Sequence, residues 1–208
     1  NPLKAIKYNI LGTSNILEAI KNNKKVNRIV FASSVYARSK RGGFYSSTKR
    51  TCESLIENYH EKFNINYTIL RFGSIYGLRA NYFNIIHNLI VQGLKSNKIK
   101  RDGDGMEIRN YINVKDAAKI CVKILNKRHA NKYFNIVGKE RVSVRKVINL
   151  IAKKTSTKKI IYRKNKADIY HYKVNPFTYK VREAIFIKVK NGIKLEQGIQ
   201  EIIDNYAK

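Results

Sequence analysis

Residues 1–72 alternate between two hydrophobic periods, and that alternation decides the fold. Residues 3–22 place Leu3, Ile6, Ile10, Leu11, Ile16, Leu17 and Ile20 at helical spacing. Residues 28–33 are a short apolar run bounded by charge and serines, the mark of a buried strand. Residues 45–62 return to the helical period, with Cys52, Leu55, Ile56 and Tyr59 on one side, and Asn66–Arg71 is a second strand. Helix–strand–helix–strand with right-handed crossovers builds part of a parallel, doubly wound α/β sheet. Later segments predict helices over Tyr82–Ser96, Asp116–Asn126, Val144–Lys154 (opened by Ser143 as N-cap) and Leu195–Tyr206. Tyr111–Val114, Tyr133–Val137 and Lys159–Tyr162 read as short strands. This second half is a smaller mixed α/β lobe.

The strand Val30-Phe31-Ala32-Ser33-Ser34 ends in hydroxyls, and Tyr45-Ser46-Ser47-Thr48-Lys49 follows it. Four residues apart on a helix, Tyr45 and Lys49 share a face. An ammonium beside a phenol favours the phenolate and lowers a tyrosine pKa normally near 10. A strand-end hydroxyl can hydrogen-bond the oxygen that Tyr45 protonates or deprotonates. Such a set moves a proton on or off a carbinol while a hydride leaves or arrives.

Composition narrows the alternatives. The 208 residues suffice for one domain or one and a half, and the apolar fraction of 43% is that of a globular chain. No apolar run approaches the length of a membrane span. The start, Asn1-Pro2-Leu3-Lys4, runs straight into a helical pattern, so it reads neither as a signal peptide nor as the beginning of a folded domain. The formal charge of +29 raises a second class of function, a non-catalytic basic module binding RNA or another anionic polymer. The excess is mostly Lys, spread along the chain and accompanied by heavy use of Asn and Ile, with 2 Pro and no Trp. That profile fits codon bias better than nucleic-acid recognition. Cys52 and Cys121 lie within helical patterns without metal-like spacing and read as reduced, structural thiols of a cytoplasmic protein.

Five segments in order carry a resemblance: Asn9-Ile10-Leu11-Gly12-Thr13, the strand with its serines, Tyr45-x-x-x-Lys49, Leu70-Arg71-Phe72-Gly73-Ser74-Ile75-Tyr76-Gly77, and Gly103-Asp104-Gly105 leading to Arg109-Asn110-Tyr111-Ile112-Asn113-Val114-Lys115-Asp116. Together they resemble the extended short-chain dehydrogenase/reductase family, and within it the NAD-dependent nucleotide-sugar epimerases and dehydratases. The resemblance implies a partial Rossmann-type doubly wound sheet. Residues 1–75 would be the later half of the NAD-binding domain and 76–208 a substrate lobe, with about 109–137 returning to the sheet. The resemblance therefore implies a fragment that lacks roughly the first 80 to 90 residues of such an enzyme, with the glycine-rich pyrophosphate turn, and that is expected to hold NAD poorly and to be inactive alone.

The resemblance also assigns roles. Tyr45 is the acid/base, and Lys49 tunes it and holds the nicotinamide ribose, with Phe72 beside the cofactor. Ser34 is the hydroxyl partner, with Ser33 as its rival. Asn9 props the catalytic helix. Ser74, Arg79, Arg109 and His171 face the nucleotide sugar, with Arg109 gripping the diphosphate through its planar fork. The chain departs from the pattern in four places, one of them Asn110, which stands where the arginine's acidic neighbour is usual. The loop from Ser34 to Tyr45 is short, as in a compact subtype acting on surface-polysaccharide precursors. Ser74 stands where an Asn is usual. Val35 and Tyr36 stand where dehydratases carry an Asp-Glu pair, which favours epimerase or reductase chemistry. A homodimer through helices 3–22 and 45–62 is expected.

Overall fold

A computed structural model describes residues 1–39 and 41–163. The chain opens with a helical run: α1 (Pro2–Ala5), a π-helical stretch (Ile6–Leu11) and α2 (Gly12–Ile20). Strand β1 (Arg28–Ser34) follows, then a 3-10 turn over Val35–Arg38, the long helix α3 (Gly43–Phe63) and β2 (Asn66–Phe72). The second half contains β3 (Ser74–Tyr76), α4 (Ile85–Ser96), β4 (Lys98–Asp102), β5 (Ile108–Asn113) and α5 (Val114–Lys123). It continues through β6 (Lys132–Ile136), β7 (Arg141–Ser143), α6 (Val144–Lys154) and β8 (Lys159–Arg163).

The main sheet has the order β1-β2-β6 and is wholly parallel. Adjacent side chains of β2 point to opposite faces, so an unbroken apolar run must be covered twice. Ile69 packs on one face with Leu17 of α2 and Ile56 of α3; Leu70 packs on the other with Ala117 of α5 and Ile124. All four central partners, Leu17, Ile56, Ile69 and Leu70, are 0–1% exposed. The helices therefore lie on both sides of the sheet, as the alternating pattern predicts.

Two smaller sheets form the rest. β3 pairs with β5 in parallel and β7 joins β5 antiparallel, while β4 pairs with β8. Within the 109–137 stretch, Lys132–Ile136 thus joins the main sheet, whereas β5 sits in the second one. Leu89, Ile99, Val144 and Ile148 form a separate core for α4, β4 and α6. The helix expected from Tyr82 begins only at Ile85, because Asn84 caps it by accepting from the His87 N–H. Ser143 caps α6 the same way through the Lys146 N–H. His171 and the tail helix expected over Leu195–Tyr206 lie outside the described residues.

The two sheets meet at a pair of glycines. The Gly73 N–H donates to the Ile136 carbonyl at 3.0 Å, and a Cβ on Gly73 would sit 3.0 Å from the Asn110 carbonyl. A Cβ on Gly138 would lie 1.8 Å from the Tyr111 carbonyl oxygen. Only glycine allows this approach.

Candidate active site at the carboxyl ends of the parallel strands

Ser34, Phe72 and Ile136 are register partners, so the three parallel strands end level with one another. In open α/β sheets ligands bind outside such carboxyl ends. The 3-10 turn after Ser34 brings the chain directly onto α3. Ser46 donates to the carbonyls of Tyr36 and Ser39, and Arg50 donates to those of Ala37 and Ser39. These bonds hold the short loop tight. Gly42 opens α3 at φ 98°, and a Cβ there would strike the Tyr36 ring.

The two serines part company at the strand end. Ser33 is buried and donates to Glu53 on α3 at 2.5 Å. Ser34 accepts from the Tyr36 N–H, and its hydroxyl lies on the Tyr45 side of the strand end, where it favours the phenolate. The Tyr45 ring is 45% exposed and meets Tyr36 edge-on at 6.2 Å. Lys49 Nζ donates to the Ala32 carbonyl at 3.0 Å and lies 4.9 Å from the Phe31 ring centroid. Its distance to the Tyr45 ring centroid is 6.0 Å.

The phenol therefore differs from expectation. Desolvation raises the Tyr45 pKa above its usual value, and only the Ser34 hydroxyl opposes it. Lys49 does not bring the phenol down here, because its ammonium is turned to the strand carbonyl. Burial in turn lowers the Lys49 pKa.

Asn9 sits in the π-helical stretch and donates through Nδ2 to Thr48 on α3 at 2.9 Å, while its carbonyl accepts from Cys52 Sγ at 3.2 Å. Cys52 and Cys121 are both free thiols. Ser74, half-buried on β3, pairs in register with Tyr111. Arg109 is buried on β5, and its Nη1 donates to the Ile108 carbonyl. Arg79 is exposed with a left-handed φ of 62°. The strand ends thus bring Ser34, Tyr45, Lys49 and Phe72 together, while Ser74 and Arg109 belong to the second sheet.

Sequence reasoning missed Glu53 and Arg71. They form a buried two-pronged ion pair, Nε to Oε1 at 2.9 Å and Nη2 to Oε2 at 2.7 Å. The signal was present: Tyr45, Lys49, Glu53 and Glu57 follow one another at four-residue intervals on the inner face of α3.

The model of the NAD dependent epimerase/dehydratase family matches residues 1–138. The chain belongs to that family. Among its relatives, the uncharacterized UDP-glucose epimerase YtcB of Bacillus subtilis is 35% identical over 158 residues, which is 69% of this chain and 49% of YtcB. A putative UDP-glucose 4-epimerase of Methanocaldococcus jannaschii is 27% identical and aligns with 98% of this chain and 70% of its own length. The crystal structure of a Thermotoga maritima UDP-glucose 4-epimerase with UDP-glucose superposes with a TM-score of 0.75 at 22% identity, over 86% of this chain and 63% of that one. A Bacillus cereus UDP-glucuronic acid 4-epimerase in complex with UDP-glucuronic acid and NAD superposes at 0.73 with 25% identity, over 84% and 58%. The epimerase/dehydratase chain described here thus spans about half of YtcB and under two thirds of these solved structures. Its doubly wound sheet is the Rossmann-type fold of these neighbours.

The residues present fit one end of a dinucleotide. Level strand ends, a half-exposed phenol and a lysine at the same corner suit the nicotinamide ribose. The described residues include no glycine-rich strand-to-helix turn of the kind that cradles a pyrophosphate. Among the described residues, no helix is long and apolar enough to cross a membrane.

Proposed function

We propose that this chain is the catalytic and substrate-binding portion of an NAD-dependent nucleotide-sugar epimerase, acting on a UDP-hexose or its uronic acid. The observation that carries the reading is the placement of Ser34, Tyr45 and Lys49 at the carboxyl ends of three parallel strands, with Tyr45 edge-on to Tyr36 and Lys49 bonded to the Ala32 carbonyl. Residues 1–75 together with 132–136 form the cofactor-facing part, and the remainder forms the substrate lobe.

Tyr45 in its phenolate form, favoured by the Lys49 ammonium once that group leaves the Ala32 carbonyl, takes the proton from a sugar hydroxyl. It gives the proton back to the same oxygen when hydride returns to the carbon, while Ser34 holds that oxygen by a hydrogen bond. The chemistry that bound NAD supplies is hydride acceptance and return. Lys49 has the reach and exposure to hold the nicotinamide ribose once its bond to Ala32 is exchanged. Val35, 1% exposed, cannot act as an acid or base, which supports epimerisation over elimination of water. Arg109 and Ser74 are assigned to the diphosphate and sugar, with Arg79 at the rim. Leu3, Ile6, Leu11 and Ile16 are 44–76% exposed along the first helical run, which supports a homodimer through that surface. The two free thiols are consistent with a reducing cytoplasm.

The test is incubation of the protein with NAD and UDP-glucose, UDP-N-acetylglucosamine or UDP-glucuronic acid, followed by chromatography of the UDP-sugars. Because the described residues carry no pyrophosphate-cradling turn, NAD binding is established first, and where NAD is held, conversion of one of the sugars to its epimer is expected. Failure to convert any, in a preparation shown to bind NAD, overturns the reading.

A further inference from the structure

Four side chains lie on one stripe of α3. Tyr45 and Lys49 reach the end of β1, whereas Glu53 and Glu57 turn inward: Glu53 to Ser33 and Arg71, Glu57 to the Tyr133 hydroxyl. Ser33 and Arg71 are register partners on β1 and β2. One carboxylate therefore clasps two adjacent strands one residue below the catalytic corner. Arg71 also lies over the Tyr133 ring of β6, 4.4 Å from its centroid. Glu53, Arg71 and Ser33 are each 3–6% exposed.

We propose that Glu53 and Arg71 are positioning residues for the Tyr45–Ser34 contact: their two-pronged bond sets the register of α3 along the ends of β1 and β2. Three features argue for this over a role in stability alone. A buried ion pair gives little net stability compared with well-packed apolar side chains, because desolvation offsets its attraction. The fork is planar and bidentate, so it fixes a direction as well as a distance. The carboxylate holds Ser33 by its hydroxyl, and Ser33 is the immediate neighbour of the serine that meets Tyr45. A slip of α3 by even a fraction of a turn would part Tyr45 from Ser34 while leaving Ile56 and Cys52 in apolar surroundings.

The inference rests on the proposed role of Tyr45, but its test needs neither cofactor nor sugar. Protein labelled with 13Cζ-tyrosine reports the Tyr45 hydroxyl, its resonance assigned by loss in Tyr45→Phe. The groups facing that hydroxyl are Ser34 of β1, Tyr36 of the 3-10 turn and Lys49 of its own helix. Ser34→Ala should move the Tyr45 titration upward by about half to one pH unit, the worth of one hydrogen bond. The double variant Glu53→Gln/Arg71→Met buries no unpaired charge and should fold. It should produce the same upward displacement, and adding Ser34→Ala to it should change little more, because the contact is already lost. A folded double variant in which Tyr45 titrates as in the unaltered protein, or in which Ser34→Ala still has its full effect, overturns the proposal. If the double variant does not fold, Glu53→Asp carries the test. It keeps the charge but falls one methylene short of Ser33 and Arg71 together, and a Tyr45 resonance unmoved by it overturns the proposal equally. In an active preparation kcat should fall with KM unchanged, and an inactive preparation with the expected titrations would refute the enzymatic reading alone.

Discussion

Substituting Gly138 by alanine should be among the most damaging single-methyl changes in this protein. The added Cβ would lie 1.8 Å from the Tyr111 carbonyl oxygen and 2.8 Å from its carbonyl carbon, both of them backbone. No rotamer change relieves such a clash, so the end of β6 must retreat from β5 by more than an ångström. That retreat strains the bond from Asn110 Nδ2 to the Gly138 carbonyl, now 3.2 Å, which helps hold the second sheet against the first. Overpacking costs about 1–3 kcal/mol and a lost hydrogen bond about 1 kcal/mol, giving a loss of about 3 kcal/mol. Against a stability of about 5–15 kcal/mol this is large, and it corresponds to a fall in Tm of roughly 6–12 °C for a chain of this size. Urea unfolding followed by circular dichroism measures it. Gly73→Ala is the internal comparison. Its nearest contacts are 3.0 Å, one of them to a Val137 methyl that can yield, so about 1 kcal/mol is expected. If Gly138→Ala unfolds within about 0.5 kcal/mol of the parent, or Gly73→Ala proves the worse of the two, the close approach of β5 and β6 is not as described.

Other outcomes follow from the same structure. Ile69→Ala, at a fully buried position facing α2 and α3, should lower unfolding free energy by about 2–5 kcal/mol in urea titrations. In the free protein Tyr45 should titrate above pH 10 by carbon NMR, since burial disfavours the phenolate, so that the phenol is the populated form at neutral pH; a midpoint below 9 would contradict the geometry given for Lys49. Binding to duplex DNA or RNA should be weak, indifferent to sequence and lost near physiological salt; submicromolar selective binding there would favour the basic-module reading of the +29 charge.

Much of the fold is legible because its signals are local. The apolar run at 28–33 and the run at Asn66–Arg71 pair in parallel, and Ser143 caps α6 as its spacing predicts. The short strands β3, β4 and β7 escape notice for a physical reason. Their residues, such as Lys98-Ile99-Lys100, carry no apolar period and take strand geometry only from the partners they find at β5 and β8. The candidate site divides similarly. Tyr45 and Lys49 declare themselves by their helical spacing and Ser34 by its place at a strand end. The choice between Ser33 and Ser34 depends on which way each faces along the strand, and only the fold shows that Ser33 is the one turned to Glu53 of α3. The orientation of Lys49 toward the Ala32 carbonyl is likewise a tertiary outcome that spacing does not encode.

The central claim is that Tyr45 carries the proton in a nucleotide-sugar epimerisation. Tyr45→Phe removes the hydroxyl and keeps the ring, whose edge-on contact with Tyr36 does not use the oxygen. Turnover of the UDP-sugar substrate, measured with NAD present, should fall by about 10² to 10⁴, the usual worth of a positioned acid/base. Affinity for the UDP-sugar and the unfolding midpoint should stay at their parent values. A Tyr45→Phe protein that epimerises its substrate at close to the parent rate contradicts the account.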